Sequence, residues 1–324
     1  MTEAHKCAQM RILFCSKTFP AARRNLEQRL KPSDYELVVC PEDDISSALD
    51  GVNVVIPLMC RIDSALMDAG SFRLIQQWGS GLEGVDLQAA RQRGIRVANV
   101  PAAGSNADSV AEHVILLTFA LLRDLSAGLA NVKAGNWGAP LGHMLASRTV
   151  CLYGLGATAR ALAKRLRAFN VRLVGITRDI SDPKVAEFAL DGCYSTNDRE
   201  ACLAQTDVLI LCTRLSVETR GQIDARALRA LRPGAYLVNA ARGALIDYGA
   251  LYSALKSGHL AGAGLDVFWK EPIAPDDPLL ALPNVIATPH VAGVTDQSYG
   301  EIADAVASNI ERLRRGETPL NCSL

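Results

Sequence analysis

Short apolar runs alternate with helix-like stretches along the chain, and this alternation constrains the fold more than any other feature. The runs lack strict polar alternation, as is typical of parallel strands that are covered on both faces. A repeated strand–helix–strand order predicts an α/β fold with parallel sheets. The predicted strands are Arg11–Cys15, Glu36–Val39, Val52–Ile56, Arg73–Trp78, Ile95–Ala98, Thr149–Tyr153, Val171–Ile176, Val208–Cys212, Ala235–Asn239, Gly262–Val267 and Val285–Ala287.

Two long helices suggest how the chain divides into domains. The chain has 324 residues, which at about 150 residues per domain predicts two domains. A helix is predicted over Asn106–Arg123 and an amphipathic one over Thr295–Arg315, whereas the glycine-rich segment 124–148 looks loosely structured. We expect boundaries near Pro101 and His290, so that the last helix returns to the first domain. The predicted domains are 1–101 plus 291–324, and 102–290.

Charge and cysteine content exclude several classes of protein. The 34 basic residues equal the 34 acidic ones, which argues against a nucleic-acid partner. The nine cysteines form no C-x-x-C pair and mostly lie in apolar runs, which indicates reduced thiols rather than disulfides or a metal site. The first ten residues lack the apolar stretch of a secretion signal, and the run Val114–Leu122 is too short to cross a bilayer. We therefore expect a cytoplasmic protein that binds neither a metal nor a membrane.

A glycine-rich turn follows the predicted strand that ends at Tyr153. The sequence CLYGLGATAR has Gly154 for a tight turn and Gly156 where backbone can approach a pyrophosphate at a helix N-terminus. Ala159 takes the third glycine position and is small enough for close helix–strand packing. The motif alone also fits a βα turn that binds nothing, but its strand–turn–helix setting favours a dinucleotide.

The residues after the next strand bear on which dinucleotide binds. An acidic residue there usually holds the ribose of NAD, but this chain has Thr177 followed by Arg178. A neutral residue beside an arginine suits the 2′-phosphate of NADP, so NADP is preferred over NAD. Two alternatives stay open: Arg178 faces solvent, or Asp179 turns back to the ribose.

Three polar residues follow three further predicted strands. They are Arg242 in VNAARGALID, Glu271 in GLDVFWKEP and His290 in TPHVAG. In an open parallel sheet, ligands bind beyond the carboxyl ends of the strands, so all three are expected on the same edge as Gly154. Taken singly, the arginine could cap a turn, the glutamate could lie on the surface and the histidine could be a core residue. Their joint placement favours a catalytic site.

The chemistry of these three residues is complementary. Arg242 can bind a carboxylate with its planar fork, and His290 can transfer a proton near neutral pH. Glu271 can hold the other ring nitrogen of the histidine. This set suits hydride transfer between a nicotinamide cofactor and a small 2-oxo or 2-hydroxy acid. Asp266 could contact the nicotinamide side of the cofactor, tune the pair or only cap its strand. The remaining histidines have no such company and are expected to be structural or solvent-facing: His5, His113, His143 and His259.

Several of these motifs together resemble the D-isomer-specific 2-hydroxyacid dehydrogenases, from about Val52 to Arg315. The resemblance lies in WGSGLEGVD, NADSVAEH, YGLGATAR, VNAARGALID, AGLDVFWKEP and TPHVAG. It implies two Rossmann-like, doubly wound parallel-sheet domains, with a discontinuous substrate domain around a central NAD(P)-binding domain. It also implies the roles given above for Arg242, Glu271 and His290.

The resemblance implies further site residues. Backbone amides of Ser80 and Gly81 would bind the substrate carboxylate together with Arg242, and Leu58 and Met59 would shape the pocket. A homodimer would form through the segment 125–145, which includes Trp137. The implied cofactor contacts, besides Gly154, Gly156 and Arg178, are Ala157, Thr158, Thr177, Thr213, Arg214, Thr219, Ala240, Ala241 and Asp266.

Departures from the family pattern refine these expectations. Arg214 stands where the family usually has proline, which fits NADP, although an arginine that faces solvent is an equal alternative. Pro57 stands where phosphoglycerate dehydrogenases have a phosphate-binding arginine, so a small unphosphorylated acid such as glyoxylate or hydroxypyruvate is preferred. Phosphoglycerate dehydrogenase and a dinucleotide-sensing corepressor remain alternatives, although the chain ends soon after its last helix. Formate and phosphite dehydrogenases fit less well, since the latter have a lysine where Ser80 stands.

Overall fold

Strands and helices alternate along the described residues, which are 9–41, 44–101 and 104–323 of a computed structural model. His5 and Cys7 lie outside the described residues. The strands are β1 (Met10–Phe14), β2 (Tyr35–Val39), β3 (Val52–Ile56), β4 (Leu74–Gln76), β5 (Arg96–Ala98), β6 (Thr149–Tyr153), β7 (Arg172–Thr177), β8 (Gly192–Ser195), β9 (Val208–Leu211), β10 (Ala235–Asn239), β11 (Leu260–Leu265) and β12 (Val285–Ala287). The helices are α1 (Pro20–Glu27), α2 (Ser64–Ala69), α3 (Leu87–Gln92), α4 (Ser105–Leu122), α5 (Leu125–Ala134), α6 (Ala157–Leu166), α7 (Arg199–Leu203), α8 (Ala225–Ala230), α9 (Tyr248–Lys256) and α10 (Asp296–Arg314).

Two elements were not expected from the sequence, whereas every predicted strand is present with small shifts at its ends. Strand β8 is a short, half-buried edge strand, so it lacks a distinct apolar run. Helix α5 lies in the segment 124–148, which was expected to be loosely structured. That expectation was wrong for Leu125–Ala134, whereas residues 135–148 contain no helix or strand. No residue of α5 is buried, so it has no apolar–polar periodicity to detect. The Asp124 side chain begins the helix and Gly135, in a left-handed conformation, ends it.

The chain forms two compact units. The smaller unit comprises the residues up to Ser105 together with Val294 onward, and the larger unit comprises Asn106–Gly293. The predicted boundaries, after residues 101 and 290, lie a few residues before these positions. The assignment of the substrate to the smaller unit and of the cofactor to the larger unit stays a prediction.

The smaller unit is built on a five-stranded parallel sheet in the order β2-β1-β3-β4-β5. Strand β1 shows why both faces are covered. Ile12 and Phe14 pack in a core with residues of α1 and α10, whereas Leu13 packs on the opposite face with residues of α2 and α3. The strand order changes direction between β1 and β3, so a crevice opens at their carboxyl ends.

The larger unit is built on a seven-stranded parallel sheet in the order β12-β11-β10-β9-β6-β7-β8. Cys151 and Tyr153 of β6 pack against α7, α8 and α9, whereas Val150 and Leu152 pack against α4 and α6. The strand order changes direction between β6 and β9. Both units are therefore doubly wound, Rossmann-like sheets, as predicted.

Helix α9 begins and ends at residues that favour helix ends. The Asp247 carboxylate accepts a hydrogen bond from the Ala250 amide at 2.7 Å, and Gly258 follows the helix with a φ of 75°. Thr295 likewise caps α10 by accepting from the Ser298 amide. Among the described residues, no single helix is long and apolar enough to cross a membrane; α4 and α5 reach that length and composition only jointly, across a bend of 57°.

Candidate active site

The glycine turn after β6 leaves the first turn of α6 open. Gly154 has a φ of 98°, and a Cβ there would lie 2.8 Å from the backbone of Thr213. Gly156 is the N-cap of α6, and no side chain caps this helix. A Cβ at Gly156 would meet no atom within 4 Å. The first N–H groups of α6 therefore face a space that fits an anion such as a pyrophosphate.

Polar residues surround the ends of β7 and β9, beside the glycine turn. Arg178 and Arg214 are exposed, and the Asp179 carboxylate accepts two hydrogen bonds from Ser181, which lower the pKa of Asp179. The Asp179 carboxylate is thus held by its own turn. The pKa of Glu218 is lowered mainly by the Ser216 hydroxyl and also by the charge of Arg178, so the loop after β9 lies within the field of that arginine.

The loop that carries Arg242 is held from both sides. The buried Asn239 side chain accepts from the Ala241 amide at 3.0 Å and donates to the Arg242 carbonyl at 2.9 Å. At Gly243 a Cβ would lie 2.1 Å from the backbone of Phe268, so only glycine allows this approach. The half-buried Arg242 is therefore fixed next to the loop that leads to Glu271.

Glu271 and His290 form a direct pair. The His290 Nδ1 atom lies 2.6 Å from Glu271 Oε2, and the other glutamate oxygen accepts from the Phe268 amide at 2.8 Å. The side chains are 28% exposed for His290 and 15% for Glu271. Within the described residues, no hydrogen-bond partner of His290 Nε2 is present, so this nitrogen can meet a substrate.

The loop from Thr288 to Ala292 is organised by a fully buried carboxylate, that of Asp266. It accepts hydrogen bonds from the Thr288 hydroxyl at 2.6 Å, the Val291 amide at 2.9 Å and the Ala292 amide at 2.8 Å. His290 lies within this loop with a φ of 55°, a left-handed conformation. Asp266 thus holds the loop that carries His290, and its contact with the cofactor stays a prediction.

His113, which was expected to be structural or solvent-facing, lies partly buried beside the loop that carries His290. Its Nε2 atom lies 2.9 Å from the Thr288 hydroxyl and 3.5 Å from Asp266 Oδ1. Ser109, one helical turn earlier in α4, donates to the Ala292 carbonyl at 2.7 Å. The sequence holds a weak signal for this contact, because both residues lie on the same face of one helix.

The predicted substrate residues of the smaller unit lie at the ends of β3 and β4. Leu58 is buried with a φ of 54°, whereas Met59 is 40% exposed. The buried Gln77 side chain donates to the Leu58 carbonyl at 3.0 Å and accepts from the Trp78 amide at 2.9 Å. The Ser80 carbonyl accepts from Asn99, which fixes the turn before Gly81. Sequence reasoning did not single out Gln77, whose only signal is an amide within an apolar strand.

The larger sheet brings most predicted site residues to one edge. Arg242, Glu271 and His290 follow the neighbouring strands β10, β11 and β12. The predicted cofactor contacts follow β6 (Gly154, Gly156, Ala157, Thr158), lie at the end of β7 (Thr177, Arg178), and follow β9 (Thr213, Arg214, Thr219), β10 (Ala240, Ala241) and β11 (Asp266).

Comparison with known proteins gives consistent similarities. A family model described as D-isomer specific 2-hydroxyacid dehydrogenase, NAD binding domain, matches residues 115–292. A glyoxylate reductase of Pyrococcus furiosus is 33% identical over 290 residues, which cover 86% of this chain and 84% of that protein. A D-3-phosphoglycerate dehydrogenase of Archaeoglobus fulgidus is 33% identical over 81% of this chain, but the match spans only 49% of that protein.

A solved structure extends the similarity to nearly the whole chain. It is an NADPH-dependent glyoxylate/hydroxypyruvate reductase of Sinorhizobium meliloti in complex with NADP and malonate. The two chains are 32% identical, with a TM-score of 0.82 and coverage of 97% of each.

Proposed function

The chain belongs to the D-isomer-specific 2-hydroxyacid dehydrogenase family, and on that premise we propose that Arg242, Glu271 and His290 catalyse its reaction. It is an NAD(P)-dependent oxidoreductase that acts on small 2-oxo and 2-hydroxy acids. The observation that carries the catalytic assignment is the contact of 2.6 Å between His290 Nδ1 and Glu271 Oε2.

His290 is the proton donor and acceptor in this proposal. A reduced nicotinamide, when bound, supplies the hydride to the carbonyl carbon of the 2-oxo acid. The protonated ring donates from Nε2 to the carbonyl oxygen, which becomes the hydroxyl of the product. Glu271 accepts from Nδ1, so it fixes the ring orientation and stabilises the positive charge of the ring before the transfer. The reverse reaction uses the neutral ring as the base.

Arg242 binds the substrate in this proposal. Its guanidinium can form a bidentate pair with the carboxylate and polarise the adjacent carbonyl. We assign the backbone amides of Ser80 and Gly81 to the same carboxylate. The smaller unit is accordingly the substrate domain and the larger one the cofactor domain.

The test of the catalytic assignment is steady-state turnover followed by NAD(P)H absorbance. We expect His290→Gln to lower kcat by about 10²- to 10⁴-fold, because a positioned acid is lost. The matched control is His259→Gln, since the His259 ring hydrogen-bonds to the Leu228 carbonyl, away from Glu271 and His290 in the sequence and in its hydrogen bonding. Full activity of His290→Gln would contradict the assignment. Binding of NADPH without turnover of any 2-oxo acid would favour a dinucleotide-sensing role instead.

The substrate is proposed to be a small unphosphorylated 2-oxo acid such as glyoxylate or hydroxypyruvate. Leu58 is buried and apolar beside Met59, and Pro57 offers no charge to a phosphate. The names of the similar glyoxylate and hydroxypyruvate reductases support this choice. A substrate panel in which 3-phosphohydroxypyruvate has the highest kcat/KM would contradict it.

NADP is the proposed cofactor. Arg178 and Arg214 are exposed beside the strand ends where a 2′-phosphate would lie, and the similar reductase from S. meliloti binds NADP. We expect kcat/KM to be higher with NADPH than with NADH, and Arg178→Ala to reduce that ratio. Equal efficiency with the two cofactors would contradict the preference.

A homodimer and a cytoplasmic location complete the proposal. The segment 125–145 exposes a run of apolar side chains that a second copy would cover. Light scattering should find a dimer, and Leu129→Glu should weaken it, whereas the control Leu320→Glu outside the segment should not. The exposed apolar residues of this segment are Leu125, Leu129, Val132, Trp137, Leu141 and Met144.

The cytoplasmic location rests on the absence of disulfides among the described cysteines, and fractionation of cells tests it.

A further inference from the structure

The loop that carries His290 is held in a strained conformation. A φ of 55° is uncommon for a residue other than glycine and persists only where the surroundings enforce it. The His290 amide donates to the Asp266 carbonyl at 2.9 Å, and the Asp266 carboxylate accepts hydrogen bonds from the next two amides, those of Val291 and Ala292. Asp266 therefore determines the direction in which the His290 ring leaves the backbone.

Thr288 connects this carboxylate to helix α4. Its hydroxyl donates to Asp266 at 2.6 Å, and a hydroxyl has only one proton to donate. The contact of 2.9 Å with His113 must therefore have the His113 Nε2–H as donor and the Thr288 oxygen as acceptor. The same Nε2–H group lies 3.5 Å from Asp266 Oδ1, so its dipole also stabilises the negative charge of that carboxylate.

We propose that His113 is a positioning residue for His290 and acts through Thr288 and Asp266. This inference rests on the proposed catalytic role of His290. The His113 side chain is 14% exposed, and Ser109 of the same helix holds the far end of the loop at Ala292. Loss of the His113 donor leaves the Thr288 hydroxyl free to rotate away from Asp266. The His290 ring then loses its alignment with Glu271, while the glycine turn after β6 is untouched.

The test compares His113→Leu, which removes the donor, with His113→Gln, which can donate from its amide nitrogen. The full-length enzyme is assayed with glyoxylate and hydroxypyruvate, and binding of NADPH and NADH is measured separately. We expect His113→Leu to lower kcat about 10- to 100-fold, because a small displacement of a catalytic group has effects of this size. Cofactor Kd should stay within about twofold, His113→Gln should recover most of kcat, and His259→Gln should match the wild type.

Thr288 provides a second route to the same answer. Thr288→Val removes the hydroxyl and Thr288→Ser keeps it, so only the valine variant should lose kcat. The double variant His113→Leu/Thr288→Val should lose little more than either single variant, since both act along one path. If His113→Leu does not fold, His113→Ala removes the same donor and takes its place in the comparison with His113→Gln.

Three results would overturn the inference. One is a kcat for His113→Leu within about twofold of the wild type while His290→Gln is inactive, which leaves the proposed function intact. The second is equal kcat for His113→Gln and His113→Leu, or for Thr288→Val and Thr288→Ser. The third is a wild-type enzyme that reduces no 2-oxo acid, in which case the proposed function fails first.

Discussion

Each unit has a residue other than glycine in a left-handed conformation at the strand ends to which we assign the ligands. In the larger unit this residue is the partly exposed His290, with a φ of 55°, and in the smaller unit it is Leu58, with a φ of 54°. Both conformations cost on the order of 1–3 kcal/mol and need support from the surroundings. The support differs: Asp266 in the larger unit is a carboxylate, and Gln77 in the smaller unit is an amide.

The chemistry of the two supports matches what each loop presents. The loop after β12 presents hydrogen-bond donors from Thr288, Val291 and Ala292, and a carboxylate only accepts. At Gln77 the partners are one carbonyl and one amide, and a side-chain amide both donates and accepts. The support in the larger unit therefore orients the His290 side chain, whereas the support in the smaller unit joins two backbone segments.

The largest effect is expected from removal of the carboxylate in the larger unit. Asp266→Ala leaves the three donors without an acceptor, and each buried donor costs about 1–3 kcal/mol. We expect the free energy of unfolding to fall by about 3 kcal/mol or more, measured in urea by Trp269 fluorescence in a background with Trp78 and Trp137 changed to Phe. The control Asp247→Ala removes only a helix cap and should cost about 1 kcal/mol. Equal losses for the two variants would contradict a special role of Asp266.

A smaller effect is expected from the corresponding change in the smaller unit. Gln77→Leu leaves the Leu58 carbonyl and the Trp78 amide unsatisfied, which predicts a loss of about 1–3 kcal/mol and a raised KM for the 2-oxo acid. Trp78 fluorescence, in a background with Trp137 and Trp269 changed to Phe, reports on this unit. Gln77→Glu retains the acceptor for Trp78 but places an oxygen against the Leu58 carbonyl. A KM unchanged in both variants would separate Gln77 from substrate binding.

Substitutions at the two glycines of the turn after β6 are expected to have different effects: one on the stability of the larger unit, the other on cofactor binding. Gly154→Ala places a Cβ 2.8 Å from the Thr213 backbone, so it should destabilise the unit by about 1–2 kcal/mol. Gly156→Ala meets no protein atom within 4 Å and should leave the melting temperature unchanged. It should nonetheless raise the Kd for NADPH, because the methyl group occupies the space in front of α6. Unchanged NADPH binding would contradict the cofactor assignment.

The smallest effect concerns acid stability of the smaller unit. The Arg314 guanidinium, with help from the Tyr35 hydroxyl, lowers the pKa of Glu311 from 4.5 to about 2. Because the folded pKa is the lower one, Glu311 stabilises the unit fully above pH 4.5 and loses this contribution as the pH falls towards 2. The pair is partly exposed, so the contribution is about 0.2–1 kcal/mol. Glu311→Gln should flatten the acid limb of Trp78-detected unfolding, and an unchanged limb would contradict it.

The elements that could be predicted are those whose signal lies within one segment. Strand β6 is apolar along its length because both of its faces are buried, and the cap at Asp247 needs only residues of its own helix. Strand β8 and helix α5 escaped prediction because neither has a buried face that marks its sequence. The sites of Arg242, Glu271 and His290 could be predicted because each follows a recognisable strand.

The sequence alone determined the two doubly wound sheets, the open helix end after Gly156 and the edge on which the three polar residues lie. Only the tertiary structure decided which polar side chains support the loops that carry His290 and Leu58. His113 and Thr288 are 175 residues apart, and Gln77 and Leu58 are 19 apart. Apolar periodicity is a local property, because burial of one face of a strand or helix requires apolar residues at regular positions within that segment. A hydrogen bond between distant residues leaves no local pattern, because any of many polar side chains could supply the same donor or acceptor.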